Sequence, residues 1–361
     1  MSLPLIGVTM GDPTGIGPEI IAKALSKAEP YKACRPIVLG DPGVLAKTGK
    51  SLGIEISVET VDRIPETGYL PRKIYLFPTS RLQAESLQVG QPDQACGEAM
   101  VRAIRKAAEW TLEGKLDAMT TCPINKQAIN RAGHPFSGHT ELLAHLAGNL
   151  DVAMMFVGTT WRVVLVTTHL PLREVAKRIT TDRVLSVIQI TAEGMRRHFG
   201  IPHPKIAVLG LNPHCGEEGL LGEEERSEIL PAIERARSLS MRVEGPFPGD
   251  SFFDVSAHRD FDVVVSMYHD QGLIPIKMAG FMDAVNFTLG LPFIRTSVAH
   301  GTAYDIAGLG VANETNLIRA MALASNLSKV KIKLDLAKPS THVDLNEPEQ
   351  RDDAAGGSSK G

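Results

Sequence analysis

The chain has 361 residues, 43% of them hydrophobic and 22% charged, with a formal net charge of −3. That length suits two core-bearing lobes, and the composition is that of an ordinary globular protein. The near-neutral balance, with no basic block, excludes nucleic acid or an anionic membrane as the main partner, and no apolar run is long enough to span a bilayer. The start, MSLPLIGVTMGD, lacks a basic n-region and a cleavage-like site, so it does not read as a signal peptide. Cys34, Cys96, Cys122 and Cys215 show no CxxC spacing, which points to a reduced, cytoplasmic protein with Cys122 and Cys215 as small buried filler.

The first predicted strand is Leu5 to Thr9, followed by GDPTGIGPEI and an amphipathic helix through Leu25. Gly15 and Gly17 permit a tight turn, and Pro18 suits a first helical turn. Such a loop either holds an anion on its amides or is a compact strand-to-helix connection. It is neither GxGxxG nor a P-loop. Further strands are predicted at Pro36 to Gly40 and Ile74 to Pro78, then a helix at Gly97 to Glu113 with Met100, Ile104, Ala107, Ala108 and Leu112 at helical spacing. Asp117 to Thr121 is the next strand, and it delivers Cys122-Pro123-Ile124-Asn125-Lys126 at its end.

FSGHTE, Phe136 to Glu141, opens a helix through Leu146. Thr140 there is an N-cap or a site residue, and His139 beside exposed helix amides suits an anion. Strands follow at Val152 to Val157 and Arg162 to Thr168, then a helix at Thr181 to Phe199 and a strand at Lys205 to Leu211. Glu217 to Arg237 is acidic and then helical, with GEEE as a solvated helix start. Gly245 to Asp250 is a rigid turn presenting Asp250. Asp262 to Val265 is a buried strand running into SMYHDQGLIPIK, Ser266 to Lys277. After Asp283 to Leu289 and GLPFIRT, helices are predicted at Gly301 to Leu309 and Glu314 to Leu327, and about the last 25 residues read as disordered. Alternating strands and helices with short links predict a largely parallel α/β sheet.

Three strands each end on a histidine: His169, His214 and His269. Open α/β sheets bind ligands at the carboxyl ends of their strands. If the three strands are parallel neighbours, their imidazoles can converge and hold a divalent metal with a position left for substrate. The spacing is no local metal motif, and each histidine also reads as an ordinary hydrogen-bonded residue at a strand end. Lys277, Asn286 and Arg295 cluster in an otherwise apolar region, where charges need partners and a phosphate is one such partner.

VTMGDPTGIGPEI, CPINK, FSGHTE, TTHLPLREV, GLNPHCGEEG, MYHDQGL and NFTLGLPFIRTSVAHGTAYDIAG resemble the PdxA family of pyridoxal phosphate synthesis over roughly Leu5 to Leu327. The resemblance implies an α/β fold of the isocitrate/isopropylmalate dehydrogenase type, with two lobes and a cleft. The lobes are expected at 1–125 plus 300–330 and at 126–299, the latter carrying the dimer interface, with 331–361 a largely disordered tail. It also implies a homodimer with shared active sites, NAD or NADP, and a divalent metal such as zinc, magnesium or cobalt. Carried over, the metal ligands are His169, His214 and His269, with His169 and His214 from one subunit and His269 from its partner. His139, Thr140, Lys277, Asn286 and Arg295 contact substrate, and Asp250, Asp270 and Lys277 are the catalytic candidates.

The intact GHTE and Lys/Asn/Arg sets favour a phosphorylated substrate over a dihydrodiol. The implied reaction is oxidation, with decarboxylation, of 4-phosphohydroxy-L-threonine to 3-amino-2-oxopropyl phosphate. The alternative is D-threonate or D-erythronate 4-phosphate as substrate, and the opening motif and HGTAYDIAG look somewhat closer to that branch. A metal-dependent lyase on a sugar phosphate would use the same residues without NAD, and a metabolite-binding protein would need no metal.

Overall fold

Short β-branched runs bounded by glycine and proline assemble into one twelve-stranded sheet in the computed structural model, which describes residues 2–254 and 260–336. In chain order the strands are β1 Leu5–Thr9, β2 Arg35–Gly40, β3 Ser57–Thr60, β4 Lys73–Pro78, β5 Ala118–Thr121 and β6 Ala153–Val157. They continue with β7 Arg162–Leu165, β8 Lys205–Leu209, β9 Arg242–Phe247, β10 Val263–Ser266, β11 Val285–Leu289 and β12 Arg295–Ser297. The order across the sheet is β3-β4-β2-β1-β5-β12-β11-β6-β7-β10-β8-β9.

Helices cover both faces, so successive residues of a strand feed different cores. Ile6 and Val8 belong to one buried cluster with residues of helices Gly17–Ser26 and Thr181–Phe199, whereas Leu5, Ile37 and Met119 belong to another with helix Gln94–Leu112. Val163, Leu165, Ala207, Leu209 and Val264 face a third cluster with Phe252 and Leu273.

The sheet is largely parallel, as the alternation of elements suggested, with an antiparallel stretch at its centre. β6 pairs antiparallel with β7 and with β11, and β11 pairs antiparallel with β12. The physical reason is connection length. Four residues link β6 to β7, closed by Gly158 N–H to Trp161 O at 2.9 Å, and so short a link returns a strand only antiparallel. The β11–β12 link turns at Gly290, whose φ of 90° suits glycine.

β3 and β9 lie at the two sheet edges with half-exposed side chains, and β12 has three residues, so none presents the apolar run that marks a strand. The helix expected at Gly301 to Leu309 is a series of turns, because Gly308 and Gly310 take φ of 75° and 74°. The last helix, Thr315–Leu336, runs beyond the expected Leu327 and takes in residues 331–336 of the expected tail. The expectation of disorder for 337–361 lies outside the described residues. No helix among the described residues is long and apolar enough to cross a membrane.

Candidate active site

Two of the three strand-end histidines share a cavity. β7 and β10 are parallel neighbours, and β10 is in turn parallel to β8. His169 follows β7, and His269 begins the helix His269–Gly280 after β10. Their ring centroids lie 5.7 Å apart, and both line a cavity of about 540 Å³. His214, after β8, lines a different cavity with Asp250, Asp270 and Gln271. Within this chain His169 thus shares a cavity with His269 and not with His214. Strand β10, which leads into His269, stands between β7 and β8, the strands that lead to His169 and His214. Among the described residues no group of three His, Cys, Asp or Glu side chains is gathered to hold a metal.

The wall opposite the imidazole pair comes from the antiparallel centre of the sheet. Arg295 starts β12 and is 2% exposed. Its Nη1 donates to Thr288 Oγ1 at 3.0 Å and its Nη2 to Thr121 Oγ1 at 2.7 Å, so its direct partners are hydroxyls, not a carboxylate. Burial lowers this guanidinium to about 9, opposed by the charge of Glu141, so it stays cationic at neutral pH. Asn286 on β11, Lys277 on the His269 helix, and His139 and Thr140 at the start of helix His139–Leu146 complete the lining. All five substrate-contact candidates thus meet in one place.

Thr140 is not the N-cap. Gly138 holds that position, and no side chain caps the helix, which leaves its first-turn amides open to another acceptor. Four buried polar atoms of cavity residues lack a hydrogen-bond partner: His139 Nε2, Asn286 Oδ1, Arg295 Nε and His300 Nε2. Buried polar groups are rarely left unpaired unless something else pairs them.

The electrostatics follow from this crowding of donors. Burial, then Arg295 and Lys126, holds the His139 imidazole well below its ordinary pKa. Burial, then Lys126 and His269, lowers His169, against a pull from Glu141. Burial lowers His300, which the Gly301 carbonyl opposes and Lys277 reinforces. These rings are neutral at neutral pH beside three cations, Lys126, Lys277 and Arg295. His269 Nδ1 donates to Asp270 Oδ1 at 2.7 Å, which leaves the Nε2 lone pair available.

Three charged or imidazole side chains of the cavity were not singled out as site residues in the sequence: Lys126, Glu141 and His300. Each lies inside a quoted motif, CPINK, GHTE or VAHGT, but sequence spacing does not say which neighbour turns inward. The GDPTGIG loop does not line the cavity. Asp12 closes it, accepting Thr14 N and Oγ1 at 2.8 Å each and the Tyr304 hydroxyl at 2.5 Å, so the compact-connection reading holds. Cys122 is buried, but Cys215 is only partly so.

An imidazole pair with a carboxylate on one ring has the donor chemistry of a borderline divalent metal, and a third imidazole would complete a usual set. The residues present therefore fit a metal but supply, in one chain, two of its three expected imidazoles.

The turn that carries His214 is unusual. His214, Cys215, Gly216, Glu217 and Glu218 all take positive φ, from 41° to 79°. Left-handed backbone costs roughly 1–2 kcal/mol per non-glycine residue, so something must hold this segment in place.

An α/β sheet with a cation- and imidazole-lined cavity at its strand ends is the framework of an α/β enzyme. Residues 32–324 match the family described as pyridoxal phosphate biosynthetic protein PdxA, and the chain belongs to that family. A 4-hydroxythreonine-4-phosphate dehydrogenase of Desulforapulum autotrophicum is 49% identical over 322 residues, 89% of this chain and 95% of that protein. A D-threonate 4-phosphate dehydrogenase of Cupriavidus necator is 42% identical over 90% of this chain and 98% of its own length. A crystal structure of 4-hydroxythreonine-4-phosphate dehydrogenase from Klebsiella pneumoniae superposes with a TM-score of 0.83 at 39% identity, covering 90% of this chain and 99% of that one.

Proposed function

We propose that the chain is a nicotinamide- and metal-dependent dehydrogenase that oxidises and decarboxylates 4-phosphohydroxy-L-threonine, giving 3-amino-2-oxopropyl phosphate. The observation that carries this reading is the buried Arg295, bonded directly only to hydroxyls, amid four orphaned polar atoms on one cavity wall. A phosphorylated, hydroxylated acid supplies the missing acceptors and donors. Four relatives named for this substrate, at 45–49% identity, support the same choice; another named for it is 42% identical, level with the 42–43% of those named for D-threonate 4-phosphate.

Arg295 offers its buried guanidinium to the phosphate, with Lys277 and Lys126 as point charges. Neutral His139 donates from Nε2, and Asn286 Oδ1 accepts from a substrate hydroxyl or ammonium group. Holding the phosphate fixes the distant hydroxyl-bearing carbon by remote binding energy. His169 and His269 would hold the metal, with Asp270 keeping the His269 proton on Nδ1. We assign the third ligand to His214 of a second subunit, which would bring Asp250 to the same site and make each site a product of two chains.

The metal, once bound, lowers the pKa of the substrate hydroxyl and stabilises negative charge during decarboxylation, and the nicotinamide accepts the hydride. The two lobes are assigned to residues 1–125 plus 300–330 and to residues 126–299. The test is nicotinamide reduction on adding 4-phosphohydroxy-L-threonine to the metal-loaded protein. Product formation from the phosphate ester without nicotinamide reduction would favour the lyase instead.

A further inference from the structure

The left-handed turn of residues 214–218 packs at Gly216 against one buried carboxylate, that of Glu225. Glu225 is 2% exposed and begins a π-helical turn, Glu225–Ile229. Isolated π turns re-aim a side chain by inserting one residue into a helix and are common at functional sites. Glu225 Oε1 accepts the backbone N–H of Leu211 and of Asn212 at 2.7 Å each. Its Oε2 accepts Asn212 Nδ2 at 2.9 Å, while Glu224 accepts from the same amide at 2.7 Å.

The backbone on the far side of His214 closes on the same group. A Cβ on Gly216 would stand 2.8 Å from Glu225 Oε2, and one on Gly210 would stand 3.1 Å from Oε1. Residues before and after His214 therefore converge on one carboxylate. A buried carboxylate needs donors, and here they are those of the strand end that launches the turn.

We propose that Glu225 is the positioning residue for His214: its carboxylate holds the left-handed turn that presents this imidazole to the metal. This rests on the reading of His214 as a metal ligand. Glu225 touches neither metal nor substrate in this account. It acts as outer-shell partners of metal ligands do, by removing the freedom of the ligand's backbone.

The experiment measures zinc affinity of the full-length protein by competition with a chromophoric chelator, beside inorganic phosphate binding and thermal unfolding. Four variants are compared: Glu225→Ala, Glu225→Gln, Glu228→Gln and His214→Ala. Glu228 is the control in the same π turn, because its carboxylate accepts Thr181 N at 2.6 Å and Thr181 Oγ1 at 2.8 Å instead. Glu225→Ala is expected to weaken zinc binding about 10–100-fold, in line with outer-shell substitutions elsewhere. Glu225→Gln, which keeps an acceptor for the two backbone amides, should lose less. Phosphate binding should stay at the wild-type level in both, and Glu228→Gln should keep wild-type zinc affinity.

Wild-type zinc affinity in both Glu225 variants, with His214→Ala impaired, overturns the proposal and spares the ligand assignment. Unimpaired zinc binding in His214→Ala overturns both. Equal losses in the Glu228 and Glu225 variants, or failure of Glu225→Gln to fold, make Glu225 a residue of the fold and also overturn the proposal.

Discussion

Replacing Arg295 with methionine removes the only guanidinium on the cavity wall among the described residues and keeps most of its volume. In the free protein this cation is 2% exposed, with hydroxyls as its two direct partners and its Nε unpaired. A buried charge held this loosely is costly, so an apolar replacement should leave the folded protein as stable as before or more so. In the complex the balance reverses. A hydrogen bond to a charged group contributes about 1.5–3 kcal/mol, and more when it is desolvated. Losing one or two such bonds to phosphate should cost roughly 2–4 kcal/mol in the transition state, or about 30- to 1000-fold in kcat/KM. The assay compares kcat/KM for 4-phosphohydroxy-L-threonine and for unphosphorylated 4-hydroxythreonine, with thermal unfolding alongside. The phosphorylated substrate should suffer the whole loss and the unphosphorylated one almost none. Equal losses on both, accompanied by a lowered unfolding temperature, would show that Arg295 serves the fold and refute the clamp.

His214→Ala should purify as a folded protein with little bound metal by elemental analysis; full occupancy would remove His214 from the ligand set. Inactive subunits unfolded and refolded together should report how the histidines are shared. His169→Ala with His214→Ala should recover about a quarter of wild-type activity, because random mixing makes half the dimers mixed and each rebuilds one site. His169→Ala with His269→Ala should recover nothing if those two act in one chain, as their 5.7 Å ring separation indicates; the opposite pattern would pair His169 with His214. Acid should destabilise the metal-free protein. His139, His169 and His300 all have depressed folded pKa values, so below about 6.5 the unfolded chain binds protons that the folded chain refuses. Stability should therefore fall as pH drops from 6.5 toward the folded values, and His139→Gln should flatten that slope in urea titrations; an unchanged slope would deny His139 its buried, neutral state.

Much of this was legible in the sequence where one physical signal dominated. The β-branched runs around Val38, Val164 and Val264 marked central strands, because burial on both faces leaves no polar alternation to confuse. Edge strands β3 and β9 were missed for the converse reason: half their side chains meet solvent, and Ser57–Thr60 or Arg242–Phe247 look like loop. The gathering of His139, Asn286, Lys277 and Arg295 was expected, but from whole motifs resembling a family. No spacing rule puts residue 139 beside residue 295. The order β7-β10-β8 was invisible in sequence, and with it the fact that His269 and not His214 accompanies His169. The GDPTGIG loop showed the limits of glycine as a signal, since Asp12 there is taken up by Thr14 within the loop and by the hydroxyl of the distant Tyr304.

The central claim is tested most directly by one stoichiometric measurement. Purified protein loaded with zinc, magnesium or cobalt is mixed with NAD or NADP and 4-phosphohydroxy-L-threonine, and in parallel with D-threonate 4-phosphate. Reduced nicotinamide, carbon dioxide and phosphorylated ketone are then counted. The account predicts that the three products appear in equal amounts and that the amino substrate is turned over with the higher kcat/KM. Preference for the hydroxyl substrate would move the chain to the D-threonate branch. No nicotinamide reduction with either substrate, from protein shown to be folded and metal-loaded, would contradict the account.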